Sequence, residues 1–437
     1  MHIPRRVVAA IALLALTVPA LATSIATQPI LIELVTPGGA LPVNARLYVP
    51  APGLVQNPLV GRIPTEPFLE LTNGDETVRA DAVRVKSYAT PGGRLEMLEA
   101  EFGDNLVRWE TTNAAGYRFG TGEYIVQRRG DSRRVPLTVR TLNEDRRFEN
   151  MPTTSAEADR AEWFDGRWAV QFSDSDTPSV GIFEIDDATG KATGTFLNAT
   201  GDFRFLEGRA QGRLLRLSAF DGQHAFLFTA IANGPNRIEG RFWSGNWWHE
   251  TWVGERDNAA AAPDGFAQTT ATVDRLTPTM LRDLTFDVAS SGDAGASSMI
   301  EALPAGEPRL LYIFGTWCPN CRDATEAVRK IAERHRGLRV AALAFENDPR
   351  RGISLAQNYA EKYALDFPVL VGGFSDKAES SKKVPFLDKV RSYPTLVFIA
   401  RDGTIEAVHS GWSGPATGEA YRQQNIAIET AVRAIAR

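Results

Sequence analysis

The run Trp317-Cys318-Pro319-Asn320-Cys321 contains both cysteines of the 437-residue chain. Structural disulfides usually join cysteines that are far apart in sequence, because closing a longer loop removes more entropy from the unfolded chain. A gap of two residues closes almost no loop, so we expect this pair to be kept for its chemistry. The run predicts a centre for thiol–disulfide exchange.

The flanking sequence places the cysteine pair at the start of a helix. Leu310 to Phe314 is a continuous apolar run typical of a buried strand, and residues 321–336 carry apolar side chains at helical spacing. Cys318 is then expected at the helix N-terminus, where unpaired N–H groups and the positive end of the helix dipole stabilise a thiolate. Cys321 lies on the same helix face, within reach of the first sulfur.

The pair predicts an exchange in two steps. The Cys318 thiolate attacks a partner's disulfide, and Cys321 then attacks Cys318, which releases the reduced partner and leaves a Cys318–Cys321 disulfide. The same steps in reverse oxidise a dithiol. Pro319 fits the first helical turn, where its missing N–H costs nothing, and Trp317 can shield the site from water. This chemistry requires neither a cofactor nor a metal.

A proline further along the chain is predicted to complete the site. Tyr393-Pro394-Thr395 stands just before an apolar run, 396–400, that predicts a strand. A proline at the start of a strand that must still pair is a natural place for a cis peptide bond. Such a bond at Pro394 would turn the backbone of Tyr393 toward a bound peptide.

Strand and helix patterns alternate from about residue 280 onward. The predicted order is β-α-β-α-β-α-β-β-α, and the last two strands flank a turn at Arg401-Asp402-Gly403-Thr404. This order implies a sheet whose first strands are parallel and which an antiparallel hairpin completes.

These features together resemble the thioredoxin superfamily and, within it, the exported TlpA-type thiol–disulfide reductases. The resemblance covers about 280–437. It rests on four stretches of sequence, namely 315–321, 393–395, 402–403 and 413–418. It implies a thioredoxin-like α/β domain with Cys318 as the nucleophile, Cys321 as the resolving cysteine and Pro394 as a cis-proline that faces them.

Two positions depart from the family pattern. The family usually has a proline five residues after the second cysteine, where this chain has Glu326, and thioredoxin has a buried aspartate six residues before the first cysteine, where this chain has Tyr312. The group that moves the proton of Cys321 therefore has to be sought elsewhere. Our candidate is Glu346, at the end of the second predicted strand, and the alternative is an ordinary surface glutamate.

The N-terminal half is predicted to consist of β-strands. Residues 23–145 contain short runs that alternate between apolar and polar side chains, at 67–71 and 82–86. Residues 160–255 contain strand-like runs separated by glycines about 10–12 residues apart, which suits an antiparallel barrel or sandwich. An alanine-rich linker is predicted at 256–279. The fold class is therefore multi-domain, with this β-rich half followed by the α/β thioredoxin-like domain at 280–437. We expect the β-rich half to dock a partner or to mediate assembly.

Residues 1–22 have the features of an export signal peptide. Arg5 and Arg6 precede an apolar run from Val7 to Ala22, and Ala20-Leu21-Ala22 has the pattern of a cleavage site. The run is shorter than the roughly 20 residues of a membrane span, so we expect a cleaved signal, with an uncleaved anchor as the alternative. The predicted location is the periplasm or the outer face of the membrane.

Export and charge limit the partners. The formal net charge of −5 gives no reason to expect a nucleic acid or an anionic surface as a partner. In an oxidising compartment a lone cysteine pair is oxidised at rest unless something reduces it. Either the protein donates oxidising equivalents or a membrane electron donor recharges it. We expect a protein disulfide or dithiol as substrate and favour a reductase with a membrane electron donor. Membrane association is expected only through an uncleaved N-terminus.

Two other functions fit parts of the sequence. Two thiolates and a histidine can hold Cu(I), which would make this an exported binding protein that delivers copper or senses redox state. The histidines of this region, His335 and His409, are predicted to lie away from the cysteines. A peroxidase of the peroxiredoxin type would need a proline and a threonine shortly before its cysteine, and only Thr316 is present.

Two clusters in the second β region are conspicuous. The first contains Trp243, Trp247, Trp248, His249, Glu250 and Trp252. Exposed tryptophans can stack on sugars or grip a partner, but packing inside a small barrel is more common and is predicted here. The second consists of Asp174, Asp176, Asp186 and Asp187, which are predicted to lie in solvated turns rather than to bind calcium.

Overall fold

The structure, a computed structural model, describes residues 27–50, 64–90, 93–114, 117–128, 131–142, 148, 161–289 and 296–437. The predicted signal peptide at 1–22 lies outside the described residues. The described residues form three sheets, of nine, nine and seven strands.

The first sheet is antiparallel throughout. Its strands are β1 (Gln28–Thr36), β2 (Gly39–Tyr48), β3 (Phe68–Asn73), β4 (Glu76–Arg79), β5 (Ala82–Thr90), β6 (Gly93–Phe102), β7 (Asn105–Ala114), β8 (Tyr117–Arg128) and β9 (Asp131–Thr141). Their order is β4-β3-β2-β1-β9-β8-β7-β6-β5, so β4 and β5 occupy opposite edges. Because only Ala80 and Asp81 separate these two strands in sequence, the edges lie close together and the sheet curls into an open barrel.

The second sheet closes into a barrel. Its strands are β10 (Gly166–Phe172), β11 (Ser179–Ile185), β12 (Lys191–Asn198), β13 (Gly201–Asp202), β14 (Leu206–Gln211), β15 (Leu214–Phe220), β16 (Ala225–Ala232), β17 (Arg237–Ser244) and β18 (Trp248–Arg256). Strand β10 pairs with both β11 and β18, and β11 also pairs with β12, which leaves no open edge among eight strands. The short β13 attaches to β12. Of the predicted alternatives, the barrel is therefore the correct one.

Aromatic side chains fill the interior of this barrel. The packed set consists of Trp168, Phe172, Phe183, Phe196, Phe228, Phe242 and Trp252. The rings of Phe196 and Phe228 stack at 4.5 Å, and Trp252 meets Phe196 edge to face at 5.0 Å. The prediction of packing inside the barrel holds for Trp252. Trp243 is buried in the apolar cluster of the first sheet instead, and Trp248 lies on the surface.

A hydrophobic cluster with residues from both sheets joins the two β sheets. Phe220, Leu227 and Trp243 of the second sheet pack within the apolar cluster of the first sheet. Asn73 ties the sheets further, because its side chain donates to the carbonyl of Phe220 at 3.0 Å and accepts from the amide of Phe220 at 3.1 Å. We refer to the two sheets, residues 28–256, as the β module.

The third sheet belongs to an α/β domain. Its elements are α1 (Pro278–Asp283), β19 (Thr285–Val288), β20 (Ala296–Ser298), α2 (Met299–Ala302), β21 (Arg309–Phe314), α3 (Pro319–Arg334), β22 (Arg339–Glu346), α4 (Gly352–Lys362), β23 (Val369–Phe374), α5 (Lys377–Lys383), β24 (Thr395–Ile399), β25 (Ile405–Ser410) and α6 (Glu419–Ala436). Strands β21, β22 and β23 are parallel, and β24 and β25 complete the sheet as an antiparallel hairpin. The predicted fold class is confirmed.

The predicted linker at 256–279 is largely packed against the α/β domain. Ala271 and Arg275 form β-bridges with Leu387 and Thr404 of that domain. The ring of Phe266 meets His409 edge to face at 4.7 Å. We therefore propose that the C-terminal unit begins near residue 264, before the predicted start at 280. The other predicted boundaries, 23–145 and 160–255, stay predictions.

The barrel core allows a matched test of packing, because Trp248 and Trp252 lie on the same strand with exposed fractions of 47% and 2%. Trp252→Ala should lower the free energy of unfolding by about 3–5 kcal/mol, since it leaves a cavity among aromatic rings. Trp248→Ala should change it by less than about 1 kcal/mol. Denaturant titration of the full chain measures both. Equal losses would contradict the aromatic core described here.

Candidate active site

Cys318 caps the helix α3. The chain leaves the buried strand β21, turns at residues 315–317 and enters α3 with Pro319 in its first turn. The sulfur of Cys318 accepts a hydrogen bond from the amide of Cys321 at 3.3 Å. Both cysteines are free thiols, with Cys318 only 6% exposed and Cys321 fully buried. The structure thus describes the dithiol, and the Cys318–Cys321 disulfide stays a prediction.

Tyr393, Pro394 and Trp317 surround the sulfur of Cys318. The thiol of Cys318 donates to the carbonyl of Tyr393 at 3.4 Å, and the Tyr393–Pro394 peptide bond is cis. The indole N–H of Trp317 donates to the carbonyl of Phe345 at 2.9 Å, and its ring meets that of Tyr393 edge to face at 5.6 Å. The structure therefore brings the loop before β24 and the end of β22 to the start of α3.

Three buried hydroxyl groups are hydrogen bonded in series next to the first turn of α3. The hydroxyl of Tyr312 donates to the carbonyl of Cys321 at 2.8 Å and is hydrogen bonded to Thr325 at 2.8 Å. Thr325 is in turn hydrogen bonded to Tyr359 at 2.8 Å. Tyr312, at the position of the family's buried aspartate, thus holds the backbone of Cys321.

Burial makes the thiol of Cys321 a weak acid. Its pKa lies well above the ordinary value of a cysteine because the side chain is out of reach of water, and the neighbouring Cys318 and the charge of Glu346 raise it further. Cys321 therefore holds its proton at neutral pH, and a base is needed before it can attack a disulfide.

Glu346 is buried at the end of β22, so the surface alternative is wrong. Its carboxyl group accepts hydrogen bonds from the amide of Thr316 at 3.2 Å and from the hydroxyl of Thr316 at 2.6 Å. Burial raises the pKa of Glu346 to about 8, and the charge of Asp104 from the β module adds to this effect. A carboxyl group with this pKa can give up and take back a proton near neutral pH.

The remaining candidate residues lie away from the dithiol. His335 pairs with Glu429 at 2.8 Å, and burial lowers the pKa of His409 to about 4. Within the described parts of the chain, no group of three or more His, Cys, Asp or Glu side chains is placed to hold a metal ion. Asp186 accepts hydrogen bonds from the amides of Ala188 and Thr189, as expected for a residue in a turn.

Three hydroxyl side chains of the site had no role assigned from sequence in this chemistry. Thr316 carries a signal only for a peroxidase, and Thr325 and Tyr359 carry none, because a lone hydroxyl residue in a helix is common. The one usable hint is that Thr325 follows Cys321 by about one helical turn, so both lie on the buried face of α3.

Residues 282–408 match the AhpC/TSA family. The C-terminal part of the chain is therefore a thioredoxin-like domain, which confirms the resemblance found from sequence. The β module lies outside the matched residues.

Individual relatives match within part of the chain. The thiol:disulfide interchange protein DsbE of Escherichia coli strain K12 is 29% identical over 80 residues, which are 18% of this chain and 42% of that protein. The thioredoxin-like protein YneN of Bacillus subtilis strain 168 is 28% identical over 107 residues, which are 24% of this chain and 58% of that protein. The chain thus spans about half the length of these curated relatives. A solved structure, a secreted disulfide oxidoreductase of Mycobacterium tuberculosis, is 19% identical, with 35% of this chain and 99% of that one aligned and a TM-score of 0.26.

The raised pKa of Glu346 predicts how stability depends on pH. The folded protein holds this proton up to a pH of about 8, whereas the unfolded chain releases it near pH 4.5, so stability should fall as the pH rises between these values. At about 1.4 kcal/mol per pKa unit, the loss is on the order of a few kcal/mol. Glu346→Gln should remove this part of the slope, since an amide does not ionise. Unfolding titrations between pH 5 and 9 measure it.

Glu333→Gln serves as the matched control, because this carboxylate is exposed on α3. It should keep the wild-type slope. A Glu346→Gln variant with the wild-type slope would show that Glu346 is already ionised at neutral pH.

Proposed function

We propose that the protein is an exported thiol–disulfide oxidoreductase that reduces disulfides in protein partners. The observation that carries this proposal is the asymmetry of the cysteine pair. Cys318 caps the helix α3 beside the carbonyl of Tyr393, whereas Cys321 is buried, protonated and electrostatically coupled to a buried carboxyl group. The relatives named as thiol:disulfide interchange proteins support the same chemistry.

The first step forms a mixed disulfide. The thiolate of Cys318 attacks one sulfur of the partner's disulfide, the S–S bond breaks, and the leaving sulfur departs as a thiolate that takes up a proton from water. We propose that the partner's chain lies along Tyr393 and Pro394, since the carbonyl of Tyr393 already contacts the sulfur of Cys318. Trp317 shields one side of the new bond.

The second step releases the reduced partner. Glu346 in its ionised form takes the proton of Cys321, and the resulting thiolate attacks the sulfur of Cys318. A Cys318–Cys321 disulfide forms, and the partner's sulfur leaves as a thiolate that takes up the proton held by Glu346. Two electrons have then passed from the dithiol to the partner. Thr316 acts as a positioning residue, because its amide and hydroxyl hold the carboxyl group of Glu346.

A donor of electrons must then regenerate the dithiol. We propose export on the basis of residues 1–22, and an oxidising compartment requires a reductant, for which a membrane-bound dithiol donor is our proposal. Among the described residues, none of the helices has the length and apolar character needed to cross a membrane.

Reduction of insulin by the reduced full chain tests the proposal. The wild type should reduce insulin disulfides, Cys318→Ser should be inactive because it lacks the nucleophile, and Cys321→Ser should stop at the mixed disulfide. Gel electrophoresis without reductant should show this trapped complex only for Cys321→Ser. A wild type that reduces neither insulin nor a small aromatic disulfide would overturn the proposal, and tight Cu(I) binding lost in Cys318→Ser would favour the copper alternative.

A further inference from the structure

The β module covers the catalytic face of the thioredoxin-like domain. Asn320, which stands between the two cysteines, donates to the carbonyl of Asp202 in the strand β13 at 3.2 Å. The approach is so close that a Cβ atom on Gly201 would lie 2.1 Å from the side-chain nitrogen Nδ2 of Asn320. The segment that usually faces a substrate is therefore in contact with the protein's own barrel.

Arg204 holds this contact from the barrel side. Its guanidinium donates to the carbonyl of Pro319 at 3.1 Å and forms ion pairs with Asp323 of α3 and with Glu76 of the first sheet. Arg204 is buried, and its backbone adopts a left-handed φ of 60°, which non-glycine residues rarely do. One side chain thus connects all three sheets at the entrance to the dithiol.

Further ion pairs surround the covered face. Arg322 pairs with Asp221 of the barrel at 2.9 Å. Nearer the solvent, Arg351 pairs with Asp104 at 3.0 Å. Lys362 pairs with Asp81 at 2.5 Å. In these three pairs the positive charges lie on the thioredoxin-like domain and the negative charges on the β module, so the pairs also set the orientation of the two bodies.

A small cleft lies between the β module and Trp317 and Tyr393, the residues that flank Cys318. Its volume is about 60 Å³, enough for a few water molecules. Its lining includes Asn105, Gln127, Gln223 and His224 of the β module and Trp317 and Tyr393 of the domain. Cys318 itself is only 6% exposed, so a protein disulfide cannot reach its sulfur while the bodies are in contact.

The contact between the β module and the thioredoxin-like domain is polar, whereas the contact between the two β sheets is apolar. The two β sheets share a hydrophobic cluster, but the apolar cluster of the thioredoxin-like domain begins at Leu276 and includes no residue of the β module among those described. Interfaces of this kind resemble transient contacts between proteins rather than permanent ones. The two bodies can therefore separate without exposing a shared apolar core.

We propose that the β module is an intramolecular cap that occupies the substrate surface of the thioredoxin-like domain and that protein substrates reach Cys318 only when the interface opens. The inference rests on the proposed function. It implies that the closed form reacts with small disulfides and excludes protein disulfides. The occupant of the surface is this chain itself, at 201–204 and 221–224.

The test uses variants of the full chain that disturb the interface but not the dithiol. A side chain at Gly414 would meet the carboxylates of Asp323 and Asp202 at 2.8 and 3.0 Å, and the backbone there has an ordinary φ of −75°. Gly414→Leu should therefore push the barrel away from α3 by steric overlap. Gly337→Leu is the matched control, because no atom lies within 4 Å of a Cβ at that position. Arg204→Ala opens the interface by a different route.

The first measurement is alkylation of Cys318 by N-ethylmaleimide and by the same maleimide on a 5-kDa polymer, each normalised to a cysteine peptide. In the wild type and in Gly337→Leu the polymer reagent should react at least ~10-fold more slowly relative to the small one. Gly414→Leu should reduce the ratio of the small-reagent rate to the polymer-reagent rate about tenfold. Arg204→Ala should reduce this ratio further, because the Arg204 substitution leaves buried carboxylates without their partner. Circular dichroism verifies that each variant is folded.

The second measurement compares insulin with a small aromatic disulfide, 5,5′-dithiobis(2-nitrobenzoate), as substrates of the reduced chain. Both interface variants should reduce insulin about tenfold faster than the wild type, whereas their rate with the small disulfide should change much less. A wild type that shows no size discrimination, or two folded variants that keep the wild-type ratio, would overturn the cap. A wild type that reduces neither disulfide would overturn the proposed function instead, while the alkylation ratio still tests the cap.

Discussion

The junction between β21 and α3 is the constraint on which the rest of the site depends. A strand buried on both faces delivers the chain to the interior, and the helix that follows must begin there with unpaired amide groups. Cys318 satisfies one of them with its sulfur, which accepts from the amide of Cys321. The same hydrogen bond that caps the helix thus brings the two cysteines together.

Burial differs between the two thiols. Cys318 reaches the edge of the site, where the carbonyl of Tyr393 and the ring of Trp317 approach it, whereas Cys321 lies inside and keeps its proton. Burial also raises the pKa of the carboxyl group of Glu346, the base that we propose for Cys321. Thr316, the residue just before Trp317, bonds this carboxyl group and so ties Glu346 to the turn before α3.

The β module stands in a different relation to the site. Its own two sheets are joined by apolar packing, whereas its contacts with the thioredoxin-like domain are ion pairs and hydrogen bonds around Arg204 and Asp221. Apolar cores hold bodies together permanently, and polar contacts exchange readily with water or with another protein. The chain therefore combines a rigid β module with a domain whose reactive face is covered but releasable.

The amino-acid sequence by itself determined the features whose cause is local. The strand before Cys318, the helix after it, the pair two residues apart and the proline at 394 are all visible in short stretches, because periodicity, capping and turn chemistry act over a few residues. Glu346 was a candidate by position alone, and its burial and its bond to Thr316, 30 residues earlier, came from the parallel pairing of β21 with β22. The contact of Asn320 with Asp202 joins residues 118 apart and no local pattern predicts it. Only the tertiary structure decided that the barrel covers the dithiol, because the complementary charges and shapes that meet there lie on separately folded sheets.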